Sequence, residues 1–310
     1  MNLSREKPKL VVVLGPTASG KTEMALEIAA RTGACILSAD SVQVYRYFDI
    51  GSAKPTEEQR RGIPHFLIDV ADPDEDFNAG TYMRLALGHV GRLVESGRKI
   101  VVVGGTFLYV KALLHGLLEG VEVDRGFRRH LAQERDEKGV TPLYERLRSV
   151  DPVSAERINP NDYVRIERAL EVYHTTGERM SDHHQRHGFA EQRFNALKIG
   201  LLGERERLRR AIDERVDAMI DCGWVEEVEA IRAKGYGSDL KPMKSIGYKR
   251  INEFLDGRLD LKTAVEKIKT DTKRFSKRQS TWLRADEDIK WFDSERGNTP
   301  ILEACREFFD

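Results

Sequence analysis

The stretch Gly15-Pro16-Thr17-Ala18-Ser19-Gly20-Lys21-Thr22 matches G-x-x-x-x-G-K-[ST], and the apolar run Leu10-Val11-Val12-Val13-Leu14 leads straight into it. That order constrains the chain to a buried strand, a glycine turn and a helix, the context in which the motif cradles phosphate. Backbone N–H groups of such a turn and the positive end of the helix surround an anion, and Lys21 adds a point charge. The helix is carried by Thr22-Glu23-Met24-Ala25-Leu26-Glu27-Ile28-Ala29. The competing reading is a glycine-rich turn that merely starts a helix. The phosphate bound need not belong to ATP.

The rest of the first third alternates strand and helix signals, which implies a parallel sheet covered on both faces. Strands are expected over residues 10–14, 35–38, 66–70 and 100–103. Between the last two, Tyr82, Leu85, Ala86, His89, Val90, Leu93 and Val94 recur at helical spacing, with Gly97 as the stop. Gly104-Gly105-Thr106 and a second helix through Leu108, Ala112, Leu113 and Leu117 follow. From about Asp124 the strand signal disappears. Polar helices are expected over 127–138, 142–150, 152–157 and 162–175, with Leu131, Leu143, Leu147, Ile166, Leu170 and Val172 as an apolar stripe. A polar stretch over 181–188 closes this region and reads as a solvated loop. Its His183, His184 and His187 lack a Cys or carboxylate at metal spacing, which disfavours zinc. Strand character returns at Leu197-Lys198-Ile199-Gly200-Leu201-Leu202, and helices follow over 204–222, 225–234 and 264–283. The fold class expected is α/β: a P-loop NTPase-like parallel sheet flanked by helices, with an all-helical insertion domain. Residues 1–124 and 189–310 would form the catalytic core and 125–188 the insertion.

Bulk properties narrow the function classes. A chain of 310 residues with 40% hydrophobic and 33% charged residues is globular, with apolar runs far too short to span a membrane. The first residues lack a secretory signal, and Cys35, Cys222 and Cys305 suggest neither disulfides nor a C-x-x-C site, so a cytoplasmic address is expected. The formal charge is zero overall, yet residues 241–284 hold thirteen Lys and Arg against five Asp and Glu, a local net of +8. Such a stripe is the footprint of a nucleic-acid surface, or of a solvated helix face.

Several side chains are placed to do chemistry. Asp40 follows the second strand, where open parallel sheets bind ligands, and should share a crevice with Lys21; capping a turn is the alternative. Thr106 leaves its strand at the same edge, behind two glycines that either admit a ligand or simply turn tightly. A triphosphatase needs an acidic residue at a strand end for Mg²⁺, but 100–103 ends in Gly-Gly-Thr; Asp69 is a substitute, or a turn cap. Lys269, Lys273 and Lys277 repeat every four residues beside Arg274 and Arg278, a row suited to a phosphate backbone. Trp282 reads as core packing rather than a platform for bases.

Together these segments resemble the tRNA dimethylallyltransferases, also called tRNA isopentenyltransferases. The resemblance runs through the glycine loop, Ser38-Ala39-Asp40-Ser41-Val42-Gln43-Val44-Tyr45, Asp49-Ile50-Gly51-Ser52-Ala53-Lys54-Pro55 and Val103-Gly104-Gly105-Thr106-Phe107-Leu108-Tyr109. It continues through Asn159-Pro160-Asn161-Asp162, Arg165-Ile166-Glu167-Arg168-Ala169-Leu170-Glu171, Ile246-Gly247-Tyr248 and Lys277-Arg278-Gln279-Ser280-Thr281-Trp282-Leu283-Arg284. It covers nearly the whole chain and implies transfer of a dimethylallyl group from dimethylallyl diphosphate to the exocyclic N6 amine of the adenosine at tRNA position 37, releasing diphosphate.

By that resemblance Gly15, Pro16, Thr17, Ala18, Ser19, Gly20, Lys21 and Thr22 hold the diphosphate, with Mg²⁺ as cofactor at Thr22. Asp40 accepts the amine proton, Thr106 hydrogen-bonds near the reacting centre, and Arg215 contacts pyrophosphate beside Lys21. The family's contacts to the anticodon stem–loop fall on Asp40, Ser41, Val42 and Gln43, on Arg128, and on Val164, Arg165, Ile166, Glu167 and Arg168 of the insertion. They fall also on Lys244, Ser245, Ile246, Gly247, Tyr248 and Lys249, and on Lys277, Arg278, Gln279, Ser280, Thr281, Trp282, Leu283 and Arg284. The base must leave its stack to reach the crevice. A monomer away from membranes is expected. A P-loop nucleotide or small-molecule kinase is the alternative; it predicts ATP turnover and leaves the insertion and the basic helix unused. A non-catalytic RNA-binding module leaves the glycine loop and Asp40 unexplained.

Overall fold

A computed structural model describes residues 6–117, 124–187, 191–293 and 297–310. In chain order the elements are β1 (Lys9–Leu14), α1 (Lys21–Thr32), β2 (Cys35–Ser38), β3 (His65–Phe66), α2 (Ala79–Glu95), β4 (Ile100–Val103) and α3 (Phe107–His115). Then come α4 (Arg125–Lys138), α5 (Thr141–Val150), α6 (Pro152–Arg157), α7 (Tyr163–Thr176), α8 (Met180–His187), β5 (Asn195–Leu202), α9 (Arg205–Asp221) and α10 (Trp224–Ala233). A 3₁₀ turn at Pro242–Lys244, α11 (Tyr248–Leu255), α12 (Leu261–Arg284), β6 (Lys290–Asp293) and α13 (Thr299–Phe309) complete the chain.

The six strands are parallel in the order β3-β2-β4-β1-β5-β6. Period-two alternation sends successive residues to opposite faces, so each strand feeds two cores. Leu10, Val12, Leu14, Leu37 and Val102 pack on one face with residues of α2, α3 and α9–α12. Val11, Val13, Ile36, Val101 and Val103 pack on the other with α1 and α13. The carboxyl ends of β1, β2 and β4 therefore meet at one edge, and the loops that leave them carry the glycine motif, Asp40 and Thr106.

The chain divides into two compact units, Met1–Leu114 with Arg193–Asp310 and, separately, His115–Gln192. The second is helical, and its core is Leu131, Leu143, Leu147, Ala155, Ile166, Ala169 and Leu170. Three helix starts in it are capped by aspartates: Asp124, Asp151 and Asp162 accept from backbone N–H groups one turn ahead.

Some sequence expectations are corrected. Strand 66–70 shrinks to two residues because Leu67 and Asp69 take left-handed φ of 63° and 56°, which breaks the ladder. The 181–188 loop is the helix α8, with His183 within 3.2 Å of Glu178; residue 188 and residues 118–123 lie outside the described residues. β6, α11 and α13 had no expected counterpart. Among the described residues no helix is long and apolar enough to cross a membrane.

Candidate functional site

The glycine loop takes the shape its sequence demands. Ala18 and Gly20 have φ of 65° and 83°, and Ser19 N–H closes a turn onto Pro16 O at 3.2 Å. Gly15 is close-packed for a different reason: a Cβ there would lie 2.3 Å from Ser19 Oγ, which would have to turn away. Lys21 opens α1 and points back over the loop, its Nζ 3.4 Å from Pro16 O. Burial pushes the Lys21 ammonium down to about 8, with Arg215 adding to the shift and Asp40 opposing it. Burial likewise lowers Arg215, again against the pull of Asp40. Three charges thus sit close enough to feel one another, and two cations and one carboxylate face one cavity.

Asp40 stands just beyond β2, its Oδ1 accepting from Val42 N–H at 2.9 Å and Gln43 N–H at 3.3 Å. The turn reading and the crevice reading are both realised: one oxygen fixes the turn, and the residue lines the cavity. Thr106 Oγ1 accepts from Ser41 N–H at 3.0 Å and donates to Ser41 Oγ at 3.2 Å, locking the turn that carries Asp40. Gly104 serves backbone packing, because a Cβ there would lie 2.1 Å from Ala39 O. Gly105 lines the crevice and Gly104 the cavity beside it.

These groups line a crevice of ≈ 320 Å³ with a polar wall of Thr17, Lys21, Asp40, Ser41, Thr106 and Arg215. Its other wall is apolar: Ile212, Val216, Met219, Trp224, Ile246 and Phe275. An adjoining cavity shares Thr17, Lys21, Asp40, Ser52 and Arg215 and adds Thr22, Ser38, Gln43 and His65, but none of the apolar wall. One opening thus offers a ligand both charged and apolar side chains.

The sequence did not flag the apolar wall, although Ile212, Val216 and Met219 recur at helical spacing on α9. Trp224 is fixed against two glycines. A Cβ on Gly51 or on Gly247 would lie 2.0 Å from its ring. Glu227 was missed as well. Its carboxylate accepts from Asp49, Ile50 and Gly51 N–H and from Tyr248 O–H, at 2.5–3.2 Å, and so pins the 49–51 turn over the crevice.

Residues expected at an RNA surface separate into three groups. Lys244, Lys249, Lys277, Arg278, Thr281, Arg284, Val164 and Arg165 are exposed. Ile166, Gly247, Tyr248, Gln279 and Leu283 are buried; the four side chains serve packing or the crevice, and Gly247 makes room for Trp224. Ser245, Ile246, Ser280, Glu167 and Arg168 are partly covered. Arg128 forms a two-pronged pair with buried Glu171 at 2.7 and 2.8 Å, and Arg168 adds a third bond at 2.6 Å. Trp282 is 53% exposed, against the expectation of core packing. Asp69 pairs with Lys54 Nζ at 2.6 Å and is committed to that contact.

The basic row is partly neutralised. Lys269 and Lys273 pair with Asp217 and Asp213 of α9, at 2.7 and 2.5 Å, and help dock α12. Beyond them Arg205 and Arg209 of α9 face Arg274, Lys277, Ser280 and Arg284 of α12 across a groove of ≈ 360 Å³. Arg205 and Arg209 complete a cationic channel that the α12 periodicity alone did not reveal. No cluster of three or more His, Cys, Asp or Glu side chains suited to a metal occurs among the described residues.

Comparison with known proteins adds an independent line. The IPP transferase family model matches residues 43–286. A tRNA dimethylallyltransferase of Desulfosudis oleivorans is 47% identical over 302 residues, covering 97% of this chain and 96% of the relative. The crystal structure of a tRNA isopentenylpyrophosphate transferase from Bacillus halodurans superposes with a TM-score of 0.73 at 36% identity, covering 98% of this chain and 97% of the other. A eukaryotic dimethylallyltransferase acting on tRNA gives a TM-score of 0.77 at 26% identity, over 92% of this chain and 74% of that one.

Proposed function

Because the chain belongs to the IPP transferase family, we propose that it transfers a dimethylallyl group from dimethylallyl diphosphate to the N6 amine of the adenosine at position 37 of tRNA. The observation that supports this most is the shared crevice: a phosphate loop, a carboxylate and an apolar wall open onto one space. A diphosphate fits the Lys21 and Arg215 end, where two partly desolvated cations await an anion. The five-carbon chain then lies along Val216, Met219 and Trp224.

The adenine amine is a weak nucleophile because its lone pair is delocalised into the ring. Asp40 accepts one amine hydrogen as that lone pair forms the new N–C bond. The C–O bond breaks with its electrons leaving on diphosphate, whose growing charge the loop amides, Lys21 and Arg215 take up. Thr106 holds the Asp40 turn through Ser41. The hydroxyl oxygen of Thr22, beside the loop, suits Mg²⁺, which binds through few protein ligands and mainly through substrate phosphates. Bound there it would supply further charge neutralisation for the leaving diphosphate.

The helical unit would clasp the anticodon stem–loop through the exposed Val164 and Arg165 side of α7, with Arg128 orienting the Arg168–Glu171 network behind it. The α9–α12 groove would carry the phosphate backbone, and exposed Trp282 would stack on an unpaired base. The enzyme acts as a cytoplasmic monomer on this reading. The test is incubation with dimethylallyl diphosphate, Mg²⁺ and unmodified tRNA, with ATP as a separate arm. A mass gain of one five-carbon unit on the anticodon-loop adenosine is expected; γ-phosphate transfer from ATP would establish a kinase instead.

A further inference from the structure

Gln279 lies on the buried side of α12, 4% exposed, in the segment whose family counterparts suggested RNA contacts. Both ends of its amide are engaged within the crevice. Oε1 accepts from Thr17 N–H at 2.9 Å, and Nε2 donates to Gly105 O at 3.0 Å. Gly105 leaves room for this approach: a Cβ there would lie 2.7 Å from Nε2. One side chain thus ties the phosphate loop to the turn after β4. That turn carries Thr106, which in turn fixes Ser41 and the Asp40 loop.

We propose that Gln279 is a positioning residue for the diphosphate, holding the phosphate loop and the Asp40 side of the crevice in register, and not a contact to RNA. The inference rests on the diphosphate reading above. The loop needs such support. Ala18 and Gly20 sit in left-handed backbone, a conformation that persists only where surroundings enforce it. Thr17 is the residue just before those two, so the bond to its N–H fixes the loop at its entry. Anion affinity depends on donors being pre-arranged, because ordering them on binding subtracts from the gain. Gln279 supplies that order from outside the loop. The same α12 side chain sets the distance between the leaving-group site and the proton acceptor.

The test compares Gln279→Met, which keeps the shape but loses both bonds, with Gln279→Asn, which keeps the amide but is one methylene too short. Inorganic pyrophosphate is titrated by calorimetry, KM for dimethylallyl diphosphate is measured, and affinity for an unmodified anticodon stem–loop is measured separately. Both variants are expected to weaken pyrophosphate binding and raise that KM about tenfold, the scale of a lost buried hydrogen-bond pair. RNA affinity and its salt slope should stay within about twofold. Unchanged pyrophosphate affinity in a folded variant, or weakened RNA binding, would overturn the assignment. Tighter pyrophosphate binding would overturn it too, by showing that Gln279 competes with the anion. Should Gln279→Met fail to fold, Gln279→Asn alone carries the same comparison, with melting temperature as the folding check. If the unaltered protein fails to bind pyrophosphate, the diphosphate site itself is refuted.

Discussion

At the scale of single residues, Lys21 links anion binding to pH. Burial holds its free-protein pKa at about 8, and a bound diphosphate returns the group to its charged form. Below about pH 8 the ammonium is already present and binding takes up no proton through it. Above about pH 8 binding draws a proton in, so affinity falls as pH rises. Pyrophosphate calorimetry in buffers of different ionisation enthalpy should show this uptake at about pH 9 and not at about pH 7. Lys21→Met subtracts the ligand's own ionisation. An uptake identical in the variant would contradict the assignment. A second residue-scale expectation concerns the seat of Trp224. Gly247 has φ of 89° and no room for a Cβ, so Gly247→Ala should lose about 2–4 kcal/mol in urea unfolding through ring overlap and backbone strain. A loss under about 0.5 kcal/mol would mean that the Trp224 ring is free to move.

At the scale of elements, α12 does two jobs, with its charges divided between them. Lys273 and Lys277 both line the cationic groove, but Lys273 is held by Asp213 of α9. Lys277→Ala should weaken tRNA binding and lower the salt slope by about 1, while leaving the melting temperature unchanged. Lys273→Ala should instead lower stability, since it leaves Asp213 of α9 against α12 without its partner. Equal effects on RNA from both variants would show that the Asp213 pair yields to RNA phosphate.

This division shows where sequence reading reaches its limit. A four-residue repeat places cations on one helix face, but which of them meet carboxylates depends on the helix packed alongside. Gln279 was illegible for the same reason: its partners, Thr17 and Gly105, lie 262 and 174 positions away. Trp282 misled because its size suggested a core that α12 fills with Ile268, Ser276 and Leu283 instead.

At the scale of the whole molecule, the parallel sheet was readable because strand, glycine loop and helix are local and each strand is apolar on both faces. The short β3 was not, because left-handed Leu67 and Asp69 carry no sequence mark of their own. β6 went unseen because it is four residues long and joins the sheet only once β5 is in place. Asp40, Lys21 and Thr106 were placed at one edge by topology alone, while Arg215 entered through the family resemblance and the apolar wall required the fold. The proposed function makes Asp40 the point at which phosphate loop, base and prenyl chain would converge. The single-turnover rate of prenyl transfer by Asp40→Asn, with tRNA and pyrophosphate affinities measured alongside, tests that convergence most directly. The rate is expected to fall about 10²–10⁴-fold with both affinities retained. A rate near that of the unaltered protein, or a loss explained by tRNA affinity alone, would contradict the role given to Asp40.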